Sequence, residues 1–307
     1  MVISLNWNYC TLCPRNCHAN RSGSLVPSKG ICGETKTIRI ARAALHFWEE
    51  PCISGEQGSG TVFFSGCTLR CVFCQNHSIA NGTVGREVSI EQFSKILLNL
   101  QQKGANNINL VTPTHFVPQI AEGIMLARNE GLHLPIVYNT SGYETVETLK
   151  LLDGIVDIYL PDLKYKSSLL SKKYSFADDY FSIACKALDE MYRQVGEPTF
   201  DEHGIMKKGM IVRHLLLPGY IKDSKAVISY LYHRFGDHIY ISIMNQYTPM
   251  PAISLRYPEL NRTVSDEEYE EVVDYAIDLG VENGFIQEGE TADESFIPSF
   301  NYEGLDL

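Results

Sequence analysis

Gly66-Cys67-Thr68-Leu69-Arg70-Cys71-Val72-Phe73-Cys74-Gln75-Asn76 is the stretch on which the reading of this chain turns. Its cysteines form a C-x3-C-x2-C pattern within eight residues, with an aromatic side chain immediately before the last one. Three thiolates on one short loop hold three irons of a cubane cluster and leave the fourth without a protein ligand, which is an open coordination position. An electron-transfer cluster normally fills all four positions with cysteine, and a structural zinc likewise takes four ligands. The alternative for this loop is a zinc site completed by a distant residue such as His77.

Upstream lies a β-rich run, Thr61-Val62-Phe63-Phe64, preceded by Gly58-Ser59-Gly60, so the loop leaves the C-terminal end of a strand, where parallel barrels place their chemistry. Downstream, strand and helix alternate. Short apolar runs predict strands at 60–64, 107–112, 135–139, 155–160, 210–217 and 238–244. Helical periodicity falls at 89–103, opened by the S-x-x-Q box of Ser89 and Gln92, and near 117–130, 144–152, 178–195 and 223–235. Such alternation implies right-handed βαβ units and a parallel sheet, and six units are too few for an eight-stranded closed barrel. The fold class is therefore α/β, with a partial barrel. A last helix starts at Ser265 in an S-x-x-E box with Glu268, and 284–287 can add a short strand. Residues 198–209 read as a surface hairpin. We divide the chain into a cysteine-rich segment, 1–57, a barrel, 58–262, and an acidic C-terminal part, 263–307.

Cys10, Cys13, Cys17 and Cys32 form a second set, C-x2-C-x3-C-x14-C, with the four ligands of a complete site; zinc and an auxiliary [4Fe-4S] cluster both fit it. Cys52 and Cys185 are left over: Cys185, in an apolar helical pattern, reads as a buried inert thiol, and Cys52 has no companion at ligand spacing. The 307 residues are 44% hydrophobic and 21% charged, a globular composition, with a formal charge of −11. That balance argues against a nucleic-acid partner, which needs an excess of Lys and Arg. All 14 acids from 263 onward lie in a stretch without Lys or Arg, a solvated helix face and tail or else a docking surface for a basic partner. No apolar stretch is long enough for a membrane span, and the opening MVISLNWNY lacks a secretory pattern, so we expect a cytoplasmic protein with reduced thiols and no membrane partner.

If the barrel is right, function clusters where strands end. The candidates are Thr112-Pro113-Thr114-His115, Asn139-Thr140-Ser141-Gly142, Pro161-Asp162-Leu163-Lys164, Arg213-His214 and Asn245-Gln246-Tyr247. Each has an ordinary alternative: Asn-Thr-Ser-Gly is also turn chemistry, and Asp162 with Lys164 is also a surface ion pair.

The cluster loop resembles that of the radical S-adenosylmethionine (SAM) superfamily. Within it the chain is most similar to the pyruvate formate-lyase activating enzymes and to a group of activating-enzyme homologues with an N-terminal cysteine cluster. That second likeness includes Glu49-Glu50-Pro51, Ile53-Ser54-Gly55, Gly58-Ser59-Gly60, Cys74-Gln75-Asn76, Leu160-Pro161-Asp162-Leu163-Lys164, Arg213-His214-Leu215 and Gln246-Tyr247. The resemblance implies a radical SAM partial (β/α)6 barrel with an N-terminal cysteine-rich metal-binding extension. It implies a [4Fe-4S] cluster on Cys67, Cys71 and Cys74 whose open iron is chelated by SAM, and reductive cleavage of SAM to a 5′-deoxyadenosyl radical that abstracts hydrogen. It places Phe73 near the adenine, Asn139 and Thr140 beside the methionyl or ribose end, Lys164 and Arg213 near the SAM carboxylate, and Asp162 near a cation or the substrate.

One departure is the absence of the Gly-Gly-Glu segment usual after the second strand: Val111-Thr112-Pro113-Thr114-His115 stands there, leaving the Thr112 and Thr114 hydroxyls and backbone carbonyls to meet the SAM ammonium. The other is Asn139, where activating enzymes more often have Asp. The implied substrate is a protein or peptide, with glycyl-radical formation on a partner enzyme as the specific form and an electron donor such as flavodoxin or ferredoxin. Modification of another peptide or a small molecule is the alternative within enzymes, and a non-catalytic metal-stapled binding module is the alternative outside them.

Overall fold

A computed structural model describes residues 6–23, 30–287 and 298–306. Seven strands run parallel: β2 (Ser59–Phe64), β4 (Ile108–Val111), β5 (Ile136–Thr140), β6 (Ile158–Pro161), β8 (Met206–Leu215), β9 (Tyr240–Met244) and β10 (Gly284–Ile286). β1 (Ile38–His46) lies antiparallel beside β2, and β3 (Arg86–Val88) antiparallel beside β1, giving the order β10-β9-β8-β6-β5-β4-β2-β1-β3. The short β7 (Thr199–Phe200) forms a hairpin with β8. The sheet ends at β10 and β3 without closing, which is a partial barrel.

Every residue of β2 and β5 is buried, as a parallel strand must be when helices cover one face and the barrel interior fills the other. The covering helices are α3 (Ile90–Gln102), α4 (Val117–Asn129), the short α5 (Val146–Leu149), α7 (Tyr180–Val195) and α8 (Ile221–Phe235). At the start of α3 the Ser89 hydroxyl accepts from the Gln92 amide at 3.1 Å, and Gln92 Oε1 accepts from the Ser89 amide at 2.8 Å. Two free N–H groups at the helix start are thereby satisfied. The single turn α1 (Pro51–Ser54) is tied to the strand bottoms by Asn107, which donates to the Ile53 carbonyl at 2.8 Å and accepts from Ser59 at 2.6 Å.

The six expected strands and five expected connecting helices fall on their segments, as do the hairpin and the short strand at 284–286. Several elements were not expected, among them β1, α6 (Ser168–Ser175) and β3. β1 is Ala- and Arg-rich, a poor strand former, and its buried positions do not alternate, because it is covered on parts of both faces. It also lies within the segment assigned to the metal-binding extension, yet joins the main sheet. α6 is short and polar, and stops at Phe176, whose φ of +53° is a left-handed conformation usually given to Gly. β3 has only three residues.

Residues 298–306 run along β1, with the Tyr302 amide donating to Ala41 at 3.0 Å and the Ala43 amide to Glu303 at 2.8 Å. Of the C-terminal acids, Glu288, Glu290, Asp293 and Glu294 lie outside the described residues. Among the described residues no helix is long and apolar enough to cross a membrane.

The last helix, α9 (Asp266–Leu279), buries Tyr269, Val272 and Ala276. Truncation after Arg262 therefore uncovers core side chains and removes the strap on β1. We expect a lower melting temperature and increased binding of an apolar dye; an unchanged melting curve would show that α9 is not part of the core.

Candidate active site

The C-terminal ends of the parallel strands converge on one cavity of about 450 Å3, within the range of small-molecule and cofactor sites. β4 delivers Thr112 just past its end, β5 Asn139 and Ser141, β6 Asp162 and Lys164, and β8 Arg213. The wall beside β2 is the cysteine loop, and Cys67, Cys71 and Cys74 all line the cavity.

The loop begins at Gly66, whose φ is +82°. A Cβ there would lie 2.5 Å from Glu34 Cγ and 2.6 Å from the Cys32 carbonyl oxygen, so only glycine fits against the N-terminal segment. Arg70 takes a left-handed φ of +56° between the first two cysteines. The loop then leads into the turn α2 (His77–Ala80), with the Gly66 amide donating to Ile79 at 2.8 Å and the Val72 amide to Tyr174 at 2.8 Å. Phe73 is buried edge-on against Tyr165, Tyr174 and Tyr247 at centroid distances of 6.1 to 6.4 Å. Gln75 donates to the Gln246 carbonyl at 2.9 Å, fastening the loop end to the segment after β9.

Burial pushes the Cys74 thiol up to about 12 and raises that of Cys71, although Lys164 opposes the shift. Metal uptake must therefore displace protons. The Ser175 hydroxyl donates to Cys71 Sγ at 3.1 Å. Among the described residues no group of His, Cys, Asp or Glu is drawn up as a finished metal shell. The donor chemistry nonetheless suits an iron-sulfur cluster with an open position: three thiols line one wall, and no other cysteine among the described residues reaches the cavity.

Deeper in the barrel Arg213 sits between two carboxylates. Its Nε donates to Glu50 Oε1 at 2.8 Å, and its Nη2 to Glu50 Oε2 at 2.5 Å and to Glu49 Oε2. Burial would push the Glu50 carboxyl up, but the guanidinium outweighs it and holds the group below its ordinary value. Arg213 Nη1 makes no hydrogen bond among the described residues, and the residue lines the cavity. Lys164 Nζ pairs with Asp162 Oδ2 at 2.7 Å. Burial would lower the Lys164 ammonium, but Asp162 and then Cys71 raise it, so it stays charged beside the thiol.

Two of the N-terminal thiols approach Gly30. Cys17 Sγ and Cys32 Sγ lie 2.7 and 4.0 Å from where a Cβ on Gly30 would stand, and Cys10 Sγ accepts from Arg21 Nη1 at 3.6 Å. Burial pushes the Cys13 thiol up to about 12, and the other three thiols add to the rise. Four such donors suit tetrahedral zinc and a cubane alike.

Residues 61–202 match the Radical SAM superfamily. This stretch is a radical SAM domain. The family implies a [4Fe-4S] cluster and SAM. The chain is 27% identical over 278 residues to an uncharacterized protein of Methanocaldococcus jannaschii, covering 87% of this chain and 74% of that protein. It is 28% identical over 191 residues to the pyruvate formate-lyase-activating enzyme of Clostridium pasteurianum, covering 58% of this chain and 77% of the enzyme. A crystal structure of a maturase of the [FeFe]-hydrogenase superposes at a TM-score of 0.50 with 16% identity, over 75% of this chain and 52% of that one. The chain spans about half the length of that maturase structure, and the likeness concerns the fold alone.

Of the residues singled out in the sequence, Cys67, Cys71, Cys74, Phe73, Thr112, Asn139, Asp162, Lys164 and Arg213 line one cavity. Thr114 and Thr140 do not reach it. Both hydroxyls donate instead to Glu144 Oε1, that of Thr114 at 2.5 Å. Glu144 is a buried carboxylate that sequence reading missed: it lies outside any strand-end motif, and only the folded β4 and β5 ends bring it behind the site. Glu49 and Glu50 were noted only as part of a likeness; no local signal ties them to Arg213, some 160 residues away.

Burial pushes the Glu144 carboxyl up to about 7 from an ordinary 4.5, against the hydroxyls that favour the anion. A carboxyl raised on folding stabilises fully below its unfolded value, and the contribution is lost as pH rises through the folded one. Wild type should thus lose roughly 3 kcal/mol from this group between pH 4.5 and pH 7 and above. Glu144→Gln should remove that slope and be the more stable protein at pH 8; parallel urea-unfolding stabilities of the two proteins at pH 5 and pH 8 would refute this. Gly66→Ala should cost about 1–3 kcal/mol by forcing the strained loop off Cys32, read from the same unfolding curves.

Proposed function

We propose that this radical SAM protein is an enzyme that reductively cleaves SAM and abstracts hydrogen from a protein or peptide, in the manner of a glycyl-radical activase. The observation that carries the reading is the convergence of three loop thiols with the polar strand ends on one cavity. The partial relation to the activating enzyme of Clostridium pasteurianum supports the substrate class. Cys67, Cys71 and Cys74 would hold the cluster, which when bound and reduced supplies the electron that splits SAM into methionine and a 5′-deoxyadenosyl radical.

The chain's own residues bind and shield. Phe73, fixed by three tyrosines, offers a ring for the adenine. Lys164 and the unused arm of Arg213 present cationic donors for the SAM carboxylate. Asn139 and Thr112 supply polar atoms on the facing wall. Thr140 and Thr114 support these strand ends from behind through Glu144. Asp162 orients Lys164 and remains the carboxylate for a cation or substrate. The unclosed side of the sheet, between β10 and β3, gives an extended substrate a way in that a closed barrel would deny.

The reading includes the division into 1–57, 58–262 and 263–307, a zinc or auxiliary [4Fe-4S] site on Cys10, Cys13, Cys17 and Cys32, a flavodoxin or ferredoxin as electron donor, and a cytoplasmic setting that keeps the nine thiols free.

The test is anaerobic reconstitution with metal analysis and reductant-dependent release of 5′-deoxyadenosine from SAM. Turnover is expected, and Cys71→Ala should reduce it to background. Zinc without turnover, after successful reconstitution of a control radical SAM protein, would return the chain to the binding-module class. With a peptide carrying α-deuterated glycine, deuterium should appear in the deoxyadenosine. Turnover without deuterium transfer from any peptide would favour a small-molecule substrate.

A further inference from the structure

Arg15 stands between two of the N-terminal cysteines, Cys13 and Cys17, in a tightly turned segment where Asn16 and His18 take φ of +40° and +52°. Its guanidinium leaves that segment and enters the radical SAM domain. Nε donates to the Thr68 carbonyl at 2.8 Å, and Nη2 to the Leu69 carbonyl at 2.8 Å and the Ser175 carbonyl at 2.7 Å. Nη1 donates to the Phe176 carbonyl. The guanidinium also lies over the Tyr143 ring, 5.2 Å from its centroid. Two of the four carbonyls belong to the loop between Cys67 and Cys71, and the other two end α6, whose Ser175 hydroxyl donates to Cys71 Sγ.

This use of an arginine is unusual. It forms no ion pair among the described residues and spends four bonds on main-chain oxygens of two elements, which the Val72 amide also joins by donating to the Tyr174 carbonyl. The planar fork fixes their relative position more tightly than a lysine, a point charge on a flexible stem, would. The N-terminal segment is held on the barrel independently, since the Leu12 carbonyl accepts from Thr148 Oγ1 at 2.6 Å.

We propose that Arg15 is a positioning residue that couples the N-terminal cysteine site to the catalytic cysteine loop, so that metal bound by Cys10, Cys13, Cys17 and Cys32 orders the backbone of residues 66–73. The segment 10–17 is a short loop whose shape a metal would fix, and Arg15 carries that shape to the Thr68 and Leu69 carbonyls. This deepens the proposed function by giving the first cysteine set a task at the second site, and its catalytic consequence rests on that reading.

The test uses zinc as the probe and amide hydrogen exchange as the readout, without turnover. In the full chain carrying Cys67→Ala, Cys71→Ala and Cys74→Ala, zinc is confined to the N-terminal thiols. Zinc should slow exchange in 10–33 and, by about tenfold, in 66–73. Adding Arg15→Gln should preserve the slowing in 10–33 and abolish it in 66–73, and Arg15→Lys should behave as Arg15→Gln because the fork, not the charge, carries the coupling. Zinc protection of 66–73 that survives Arg15→Gln overturns the proposal. So does protection lost from both segments, which would mean that Arg15 only holds its own loop, and so does a failure of the N-terminal thiols to bind zinc. Absence of SAM cleavage in the reconstituted wild-type protein would sink the enzyme reading but leave the exchange result intact.

Discussion

A loop that carries three thiols to the wall of a cavity has no ladder of its own, so its backbone polar groups must find partners in other elements or pay for desolvation. Residues 66–76 find them in four directions. Ile79 accepts from Gly66, Tyr174 from Val72, Gln246 from the Gln75 side chain, and Arg15 donates to Thr68 and Leu69. These partners come from the turn after the loop, from α6, from the end of β9 and from the N-terminal cysteine segment. Each of those regions is thereby fixed relative to the thiols, which is the preorganisation that a site of defined geometry requires. The loop is the point at which the barrel and its extension become one structure.

The buried charges follow the same logic of position over stability. Arg213 faces Glu49 and Glu50 with side chains 13%, 8% and 6% exposed, and Lys164 pairs with Asp162 nearby. Replacing such pairs by apolar groups is often neutral for stability, so their presence argues for orientation rather than for fold strength. Glu50 precedes α1, which is pinned beneath the strands through Asn107; the carboxylates are thus held by one end of the barrel and direct an arginine at the other.

How far the sequence alone reached depends on the range of the signal. The strands from β2 to β9 announce themselves as apolar runs, and the helices between them as periodic segments with caps, because burial against a parallel sheet imposes those patterns locally. The triplet Cys67, Cys71 and Cys74 was legible as a group because its members lie close in sequence, and the fold brings all three to one cavity. β1 was not legible, since an Ala-rich strand covered on parts of both faces has no period to read. Thr140 was placed correctly at the end of β5, but β-strand side chains alternate, so whether its hydroxyl faces the cavity or Glu144 depends on one residue of register, while Thr114 lies beyond β4 in a short 3-10 turn where strand alternation does not apply. Arg15 and Glu49 were illegible as contacts because their partners lie some 50 to 160 residues away.

Glu144 completes the account of the missing Gly-Gly-Glu carboxylate. The strand-end stretch 111–115 contains no acid, yet a carboxylate still stands behind it, supplied by the segment after β5 and reached through the Thr114 hydroxyl. A carboxylate on the cavity wall would meet a ligand's ammonium directly; one placed behind two threonines instead orients their hydroxyls and so fixes the main chain of two adjacent strand ends at once. Its own burial keeps it protonated more readily than a wall carboxylate. The wall left by this substitution includes Thr112 and Asn139, neutral side chains that add no net charge of their own beside the thiols.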